Sequence, residues 1–174
     1  MDSAASMKTA GSATLHDEDI LVWSEIQAAA LRALAGRRDL PNELDLANVV
    51  EEVEDVGKSE FRGVKSLISN IFVQLILLWA DPDAPALRGW QGEVTAWHVD
   101  LLDRVSPSMR ARLVPEILWR SAARVACAKL SAWDADKAVR AKGVLTGLSC
   151  PFDIAALWVE EFDIVEAVAK LPPG

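Results

Sequence analysis

Apolar residues recur at intervals of three and four along residues 45–79, which is the repeat of one helix face. The members of this stripe are Leu46, Val49, Val50, Val53, Val56, Phe61, Val64, Leu67, Ile68, Ile71, Phe72, Leu75, Leu78 and Trp79. The phase continues through Gly57, which favours one helix from about 45 to 80, or two nearly collinear ones. The first half carries acids off the stripe and the second half is apolar on most faces, so the helix should run from the surface of a bundle into its centre.

The rest of the chain also predicts helices. Ala-rich segments with the same periodicity fill it, and the sequence contains no Tyr, no alternating strand pattern and no Asn-Gly or Asp-Gly hairpin turn. We therefore predict an all-α fold, a single bundle of five to seven helices around one long central helix at about 45–80. Residues 1–14 are predicted to be a disordered tail, and residues 15–174 a single helical domain.

Composition indicates a folded cytoplasmic protein of bacterial type. Hydrophobic residues make up 51% of the chain and include seven Trp, which rules out global disorder. Two cysteines, Cys127 and Cys150, are too few for a disulfide framework and suggest reduced thiols. The small, polar first 14 residues hold no apolar stretch of signal-peptide length. The longest apolar run, 71–80, is about half the ~20 residues of a membrane span, so no membrane association is expected.

Charge is distributed unevenly along the chain. The net charge is −8, but the basic segment 104–142 holds nine Lys and Arg against three acids, so it carries +6 and the remainder −14. One interpretation is a basic face for RNA or another polyanion. The alternative is that this segment packs beside the acidic helix at 43–60 and the charges partly cancel. The overall acidity favours the second interpretation, and we expect no nucleic-acid partner.

An acidic cluster is the first candidate for chemistry. Glu51, Glu54 and Asp55 have the spacing that places three carboxylates on one helix face, and His98 from a facing helix would complete an oxygen-rich site for Mg²⁺ or Mn²⁺. A di-metal bundle needs Glu-x-x-His on two helices, and this chain has two His in total. A solvated acidic helix turn is the simpler interpretation, so we expect no metal, no cofactor and no catalytic residue here.

The seven tryptophans are the second candidate. Trp79, Trp97 and Trp119 lie in apolar stripes and are predicted to be core residues. Three others lie near helix ends, where an indole packs one face and leaves the other exposed: Trp90, Trp133 and Trp158. They either close the ends of the bundle or bind a partner.

A set of short motifs in a fixed order resembles the family catalogued as domain of unknown function 29. The matching residues are Asp19, Trp23, Asp45, Leu46, Asn48, Glu51, Glu52, Glu54, Gly57, Leu77, Trp79, Trp90, Pro107, Ser108, Arg112, Cys150, Pro151 and Phe152. The resemblance covers about 15–158 and implies a small all-helical bacterial protein without an established activity. It brings no catalytic residues. The chain departs from the family pattern at Gln74, where His is usual, and at 90–94, where Trp-Arg-x-x-Ile is usual.

Two functions follow from these residues. The first is a non-catalytic cytosolic module that binds a protein partner, or a second copy of itself, through an apolar patch at Trp90, Trp133 and Trp158. The second is a metal-dependent hydrolase or nuclease that uses the acidic helix 51–55 and holds a phosphate-bearing substrate with the segment 104–142. The scarcity of His and the net acidity favour the first, and therefore a protein that is not an enzyme.

The long stripe gives a direct test of the architecture, because Leu46, Val49, Val53, Val64, Ile68, Ile71, Leu75 and Leu78 should all be mostly buried. Ile71→Asp should unfold the chain, since an unpaired buried charge destabilises by several kcal/mol, roughly 3–5. Loss of the helical circular-dichroism signal would be the readout, and a variant as stable as the wild type would contradict the predicted core.

Overall fold

The structure is a computed structural model that describes residues 14–37 and 39–173. Within them it contains helices and no strand, which confirms the all-α prediction. The helices are α1 (Ile20–Arg32), α2 (Leu46–Ala80), α3 (Leu87–Arg104), α4 (Pro107–Arg112), α5 (Pro115–Trp133), α6 (Ala135–Leu145), a 3₁₀ helix η1 (Ile154–Trp158) and α7 (Ile164–Ala169). A helical turn at 14–18 precedes α1. The predicted tail therefore lies outside the described residues except for its last position, Thr14, which is helical.

The chain divides into two compact units. Unit 1 consists of Met1–Gly63 and Val105–Arg112, and unit 2 consists of Val64–Arg104 and Leu113–Gly174. The single domain predicted for 15–174 stays a prediction.

The long helix α2 is unbroken through Gly57, as the continuous stripe predicts, and spans 35 residues. Asp45, directly before it, accepts hydrogen bonds from the backbone and side-chain nitrogens of Asn48, which satisfies free donors at the helix start. By length and mean hydropathy this helix is long and apolar enough to cross a bilayer, yet 56% of its most apolar window is buried within the protein. That degree of burial is typical of a core helix, and one such helix is weak evidence for a membrane span.

Burial along α2 agrees with most of the predicted core. Five of the eight residues are buried, namely Val64, Ile68, Ile71, Leu75 and Leu78. Leu46 and Val53 are half-buried. The prediction for Val49 is wrong, since it is 38% exposed while Val50 is 7% exposed. Positions 50, 57, 64 and 68 follow one line of the helix, and Val49 lies about 100° away from that line.

In unit 1, α1 crosses α2 at Gly57, with space for a hydrogen atom but not for a side chain. A Cβ at this position would lie 2.1 Å from Ser24 Oγ and 3.0 Å from Leu21 Cα. Ser24 is fully buried and donates its hydroxyl to the Leu21 carbonyl at 2.9 Å, so it has little freedom to move away. The glycine therefore permits two helix backbones to approach closely.

A buried carboxylate, Asp19, caps two helices of unit 1. Its side chain accepts the backbone N–H of Val22 at the start of α1. It also accepts the backbone N–H of Ser108, at 3.0 Å, and the Ser108 hydroxyl, at 2.7 Å, near the start of α4. Burial raises the pKa of Asp19, but the hydrogen bonds from Ser108, Val22 and Ser106 outweigh it and hold the pKa below its ordinary value.

The core of unit 2 is built around Phe72. Its ring stacks on Phe152 at 5.2 Å and meets the edge of Trp119 at 6.2 Å between ring centroids. Trp119 is fully buried, whereas the other two tryptophans predicted to be core residues, Trp79 and Trp97, are half-buried. The Trp79 indole donates to the Pro172 carbonyl at 2.8 Å, which fixes the C-terminal end of the described chain against α2.

The close crossing at Gly57 predicts opposite effects for two Gly→Ala substitutions. Gly57→Ala should lower the free energy of unfolding by about 1–3 kcal/mol, because the new methyl group overpacks the crossing. Gly92→Ala is the matched control within α3, where nothing lies within 4 Å of the added Cβ. It should raise stability by about 0.5–1 kcal/mol through its helix propensity. Denaturant titration checks both, and a stabilising Gly57→Ala would contradict the tight crossing.

Asp19 predicts a specific pH dependence of stability. Because its pKa is lower in the folded state, ionised Asp19 stabilises the fold above its ordinary pKa near 3.8, and this contribution is lost as the pH falls through the folded pKa. Asp19→Asn should cost about 1.5–3 kcal/mol at neutral pH, and its difference from the wild type should shrink below about pH 4. The exposed Asp100→Asn is the control. A stability difference that stays constant down to pH 2 would exclude this role.

Candidate functional site

In the acidic cluster at 51–55, Glu54 and Asp55 form ion pairs within unit 1, and Glu51 is exposed. Glu54 binds Arg32 at 2.6 Å and Lys58 at 3.4 Å, and Asp55 binds Lys58 at 3.3 Å. The hydrogen bond from Arg32 is the main cause that lowers the pKa of Glu54. Among the described residues no group of three His, Cys, Asp or Glu is placed to hold a metal ion. The cluster therefore contributes to helix pairing between α1 and α2.

His98 belongs to unit 2 and is 3% exposed. Its Nε2 donates to the Leu157 carbonyl at 3.2 Å, and its ring stacks on Phe162 at 5.2 Å. Burial lowers the pKa of His98, and the Leu157 hydrogen bond offsets part of that effect. A neutral, hydrogen-bonded imidazole of this kind joins α3 to η1 and packs as a core residue.

The two departures from the family pattern meet in unit 2. Gln74, 2% exposed, donates its side-chain amide to the carboxylate of Glu93 at 3.0 Å. A buried amide with a charged acceptor is a satisfied polar contact. Where relatives are expected to have His, this chain therefore has a structural link between α2 and α3.

A groove between α5 and α6 is a concave feature of unit 2. Asp134 alone connects the two helices, since its N–H bonds to Leu130 at the end of α5 and its carboxylate accepts the N–H groups of Asp136 and Lys137 at the start of α6. The Lys137 N–H is the main cause that lowers the pKa of Asp134. A one-residue connection makes the two helices fold against each other and leaves a groove along their outer side.

This α5–α6 groove encloses about 750 Å³ and is open to solvent. Small apolar side chains line much of it, namely Ala123, Ala128, Ala135, Ala138 and Val139. At one end Gly147, whose φ of 82° favours glycine, turns the chain so that the Leu148 carbonyl accepts the Trp119 indole at 2.9 Å. Glu116, in α5, accepts the backbone N–H of Cys150 at 2.9 Å and thereby joins α5 to the loop that follows α6. The groove is therefore a formed surface between well-anchored elements.

The rim of the α5–α6 groove is cationic. Arg120, Arg124 and Lys142 line it together with one acid, Glu116, to which Arg120 is paired at 3.1 Å. Within the described part of the chain Arg124 and Lys142 have no ion-pair partner. Arg120 is thus neutralised within α5, and Arg124 and Lys142 remain as the cations at the groove.

The thiol at the groove is not activated. Burial raises the pKa of Cys127, and the nearby charge of Lys142 opposes this only in part. Burial likewise raises the pKa of Cys150, whose Sγ lies 3.7 Å from the Phe152 carbonyl oxygen. A nucleophilic cysteine needs a lowered pKa, so both thiols are placed as packing residues.

The tryptophans predicted to bind a partner fall into a pair and a single residue. Trp90 and Trp133 stack with their ring centroids 5.6 Å apart and their planes within 17°. Trp133 is 56% exposed. Trp158 is half-buried at the end of η1. The pair joins the start of α3 to the end of α5 and leaves aromatic surface in contact with water.

Sequence reasoning did not identify the α5–α6 groove as a site. It identified the basic segment 104–142, but periodicity within single helices could not place Arg124 and Lys142 beside the same row of alanines. The signal that was available is Asp134, a residue type that favours helix starts, between two periodic segments.

The helical architecture agrees with comparisons to known proteins. The chain matches the family described as domain of unknown function DUF29 over residues 15–161. It is also similar to an alpha-helical protein of unknown function from Rhodospirillum rubrum, solved by crystallography at 1.45 Å, with 36% identity and a TM-score of 0.77 over 91% of this chain and 98% of that one. No curated protein matches the chain.

The structure and the family match together show an all-α protein in which motif residues join helices. The chain belongs to the DUF29 family, which confirms the resemblance seen in the sequence.

Proposed function

We propose that this protein is a non-catalytic interaction module that binds protein in the α5–α6 groove. The observation that carries the proposal is the groove itself, an open concave surface of about 750 Å³ with small apolar residues inside and cations on its rim. Grooves of this kind accept an amphipathic helix, whose apolar face lies along the row of small residues. The stacked Trp90–Trp133 pair, in which Trp133 is exposed and Trp90 half-buried, adds a second apolar surface on the same unit.

The contacts made by the candidate catalytic groups support binding rather than chemistry. Glu54 and Asp55 are paired with cations, His98 is held by Leu157, and the pKa of Cys127 is raised. Each of these groups thus has a structural role that explains its position.

A cytoplasmic setting and a protein partner rather than nucleic acid complete the proposal. The net charge of −8 opposes attachment to phosphate backbones and anionic lipid. Two unpaired cations beside an apolar groove match a few acidic side chains better than a continuous polyanion, which needs several Lys and Arg contacts.

Filling the groove tests the proposal. Ala128→Trp places a large side chain in the groove, and Ala132→Trp makes the same change at an exposed α5 position outside its lining. Affinity capture from cells that encode the protein should yield a protein retained by the wild type and by Ala132→Trp. Ala128→Trp should reduce that retention at least about tenfold, which corresponds to 1.4 kcal/mol.

Both variants should keep the wild-type helical circular-dichroism signal, because both positions are exposed. If Ala128→Trp retains the same proteins as Ala132→Trp, the groove is not the binding surface. Partner loss from Trp133→Ala alone would move the contact to the Trp90–Trp133 pair.

A further inference from the structure

We propose that the occupant of the α5–α6 groove is the exposed acidic face of α2 from a second copy of this chain. The inference rests on the proposed function and names its partner. This face, the acidic ridge, consists of Val49, Glu52, Val56 and Glu60 on the first half of α2. The first three of these residues are exposed and Glu60 is half-buried.

The acidic ridge is a continuous line on the helix surface. Its residues are spaced three, four and four apart, which brings consecutive side chains next to one another on a helix. Val49 is 38% and Val56 45% exposed, so two partly exposed β-branched side chains alternate with two acids along the ridge.

Charge complementarity connects this ridge to the groove. Within the described residues Glu52 and Glu60 form no ion pair, in contrast to Glu54 and Asp55 one face away. Arg124 and Lys142 are the unpaired cations at the groove. Docking would therefore pair charges that are otherwise unmatched on both surfaces, which gives specificity as well as attraction.

The two surfaces also agree in length and in side-chain size. The ridge from Val49 to Glu60 rises about 16 Å along α2 at 1.5 Å per residue. The α6 wall of the groove, 11 residues long, extends about 16 Å by the same measure. Ala128 and Ala135 leave room for a helix carrying valines to approach closely, and the valines cover alanine methyl groups that now face water.

Because the ridge and the groove are different surfaces, the contact joins copies head to tail. A variant with reversed charge on either surface should then fail to self-associate when it is the only protein present. A mixture of a ridge variant and a groove variant should associate again, because the first contributes an intact groove and the second an intact ridge.

Sedimentation velocity over a concentration series, roughly micromolar to millimolar, tests this with the full chain. The ridge variant is Glu52→Arg, the groove variant is Arg124→Glu with Lys142→Glu, and the control is Asp100→Arg on the exposed face of α3. The wild type and the control should gain mass with concentration, each surface variant alone should stay monomeric, and their equimolar mixture should regain at least half of the wild-type shift in mass.

Salt provides a readout that needs no variant. Self-association of the wild type should weaken at least about fivefold between 0.1 M and 1 M salt, over which the screening length falls from about 10 to 3 Å. A wild type that remains monomeric throughout, or surface variants that associate as it does, would overturn the second-copy proposal. Binding of a short RNA duplex that the groove variant loses would replace it with a polyanion. A monomeric wild type whose captured partner is lost by Ala128→Trp would retain the proposed function and remove only this inference.

Discussion

The approach of α1 to α2 at Gly57 is the constraint on which the rest of unit 1 depends. A helix of 35 residues has a glycine about a third of the way along because Ser24 and Leu21 occupy the space that a side chain would need. With α1 held there, Arg32 reaches Glu54 and Asp19 reaches Ser108. The intrinsic helix penalty of glycine, about 1 kcal/mol, is outweighed by the contacts that close packing allows.

The motif residues that carry the family resemblance are largely explained by contacts that join or begin helices. Asp45 and Asn48 begin α2, Asp19 and Ser108 join two helix starts, and Arg112 forms a bidentate pair with Glu25. In unit 2, Phe152 of the Cys-Pro-Phe motif packs on Phe72 and Trp119. Residues fixed in this way maintain a scaffold. The residues that line the α5–α6 groove lie outside these motifs.

The sequence predicted what depends on local periodicity. The spacing of apolar residues on one helix face predicted the long helix, its continuation through Gly57, and the burial of the residues from Val64 to Leu78. The sequence placed Val49 in the core because Val49 and Val50 both belong to the apolar stripe. Periodicity within α2 does not decide which of the two is buried, since that depends on how α2 packs against other helices. The stacking of Trp90 on Trp133 and the pairing of Gln74 with Glu93 join separate helices, and no pattern within one helix specifies them. The groove is missed for the same reason.

The central proposal is that the acidic ridge of a second copy of the chain binds in the α5–α6 groove. Amide chemical shifts of the uniformly ¹⁵N-labelled chain, recorded as its concentration rises, test this claim most directly because they report each residue separately. The account predicts progressive shifts at groove residues such as Ala128 and Val139, together with residues of the acidic ridge around Glu52. Spectra that stay unchanged over the whole range, or that shift only at residues away from both surfaces, would contradict it.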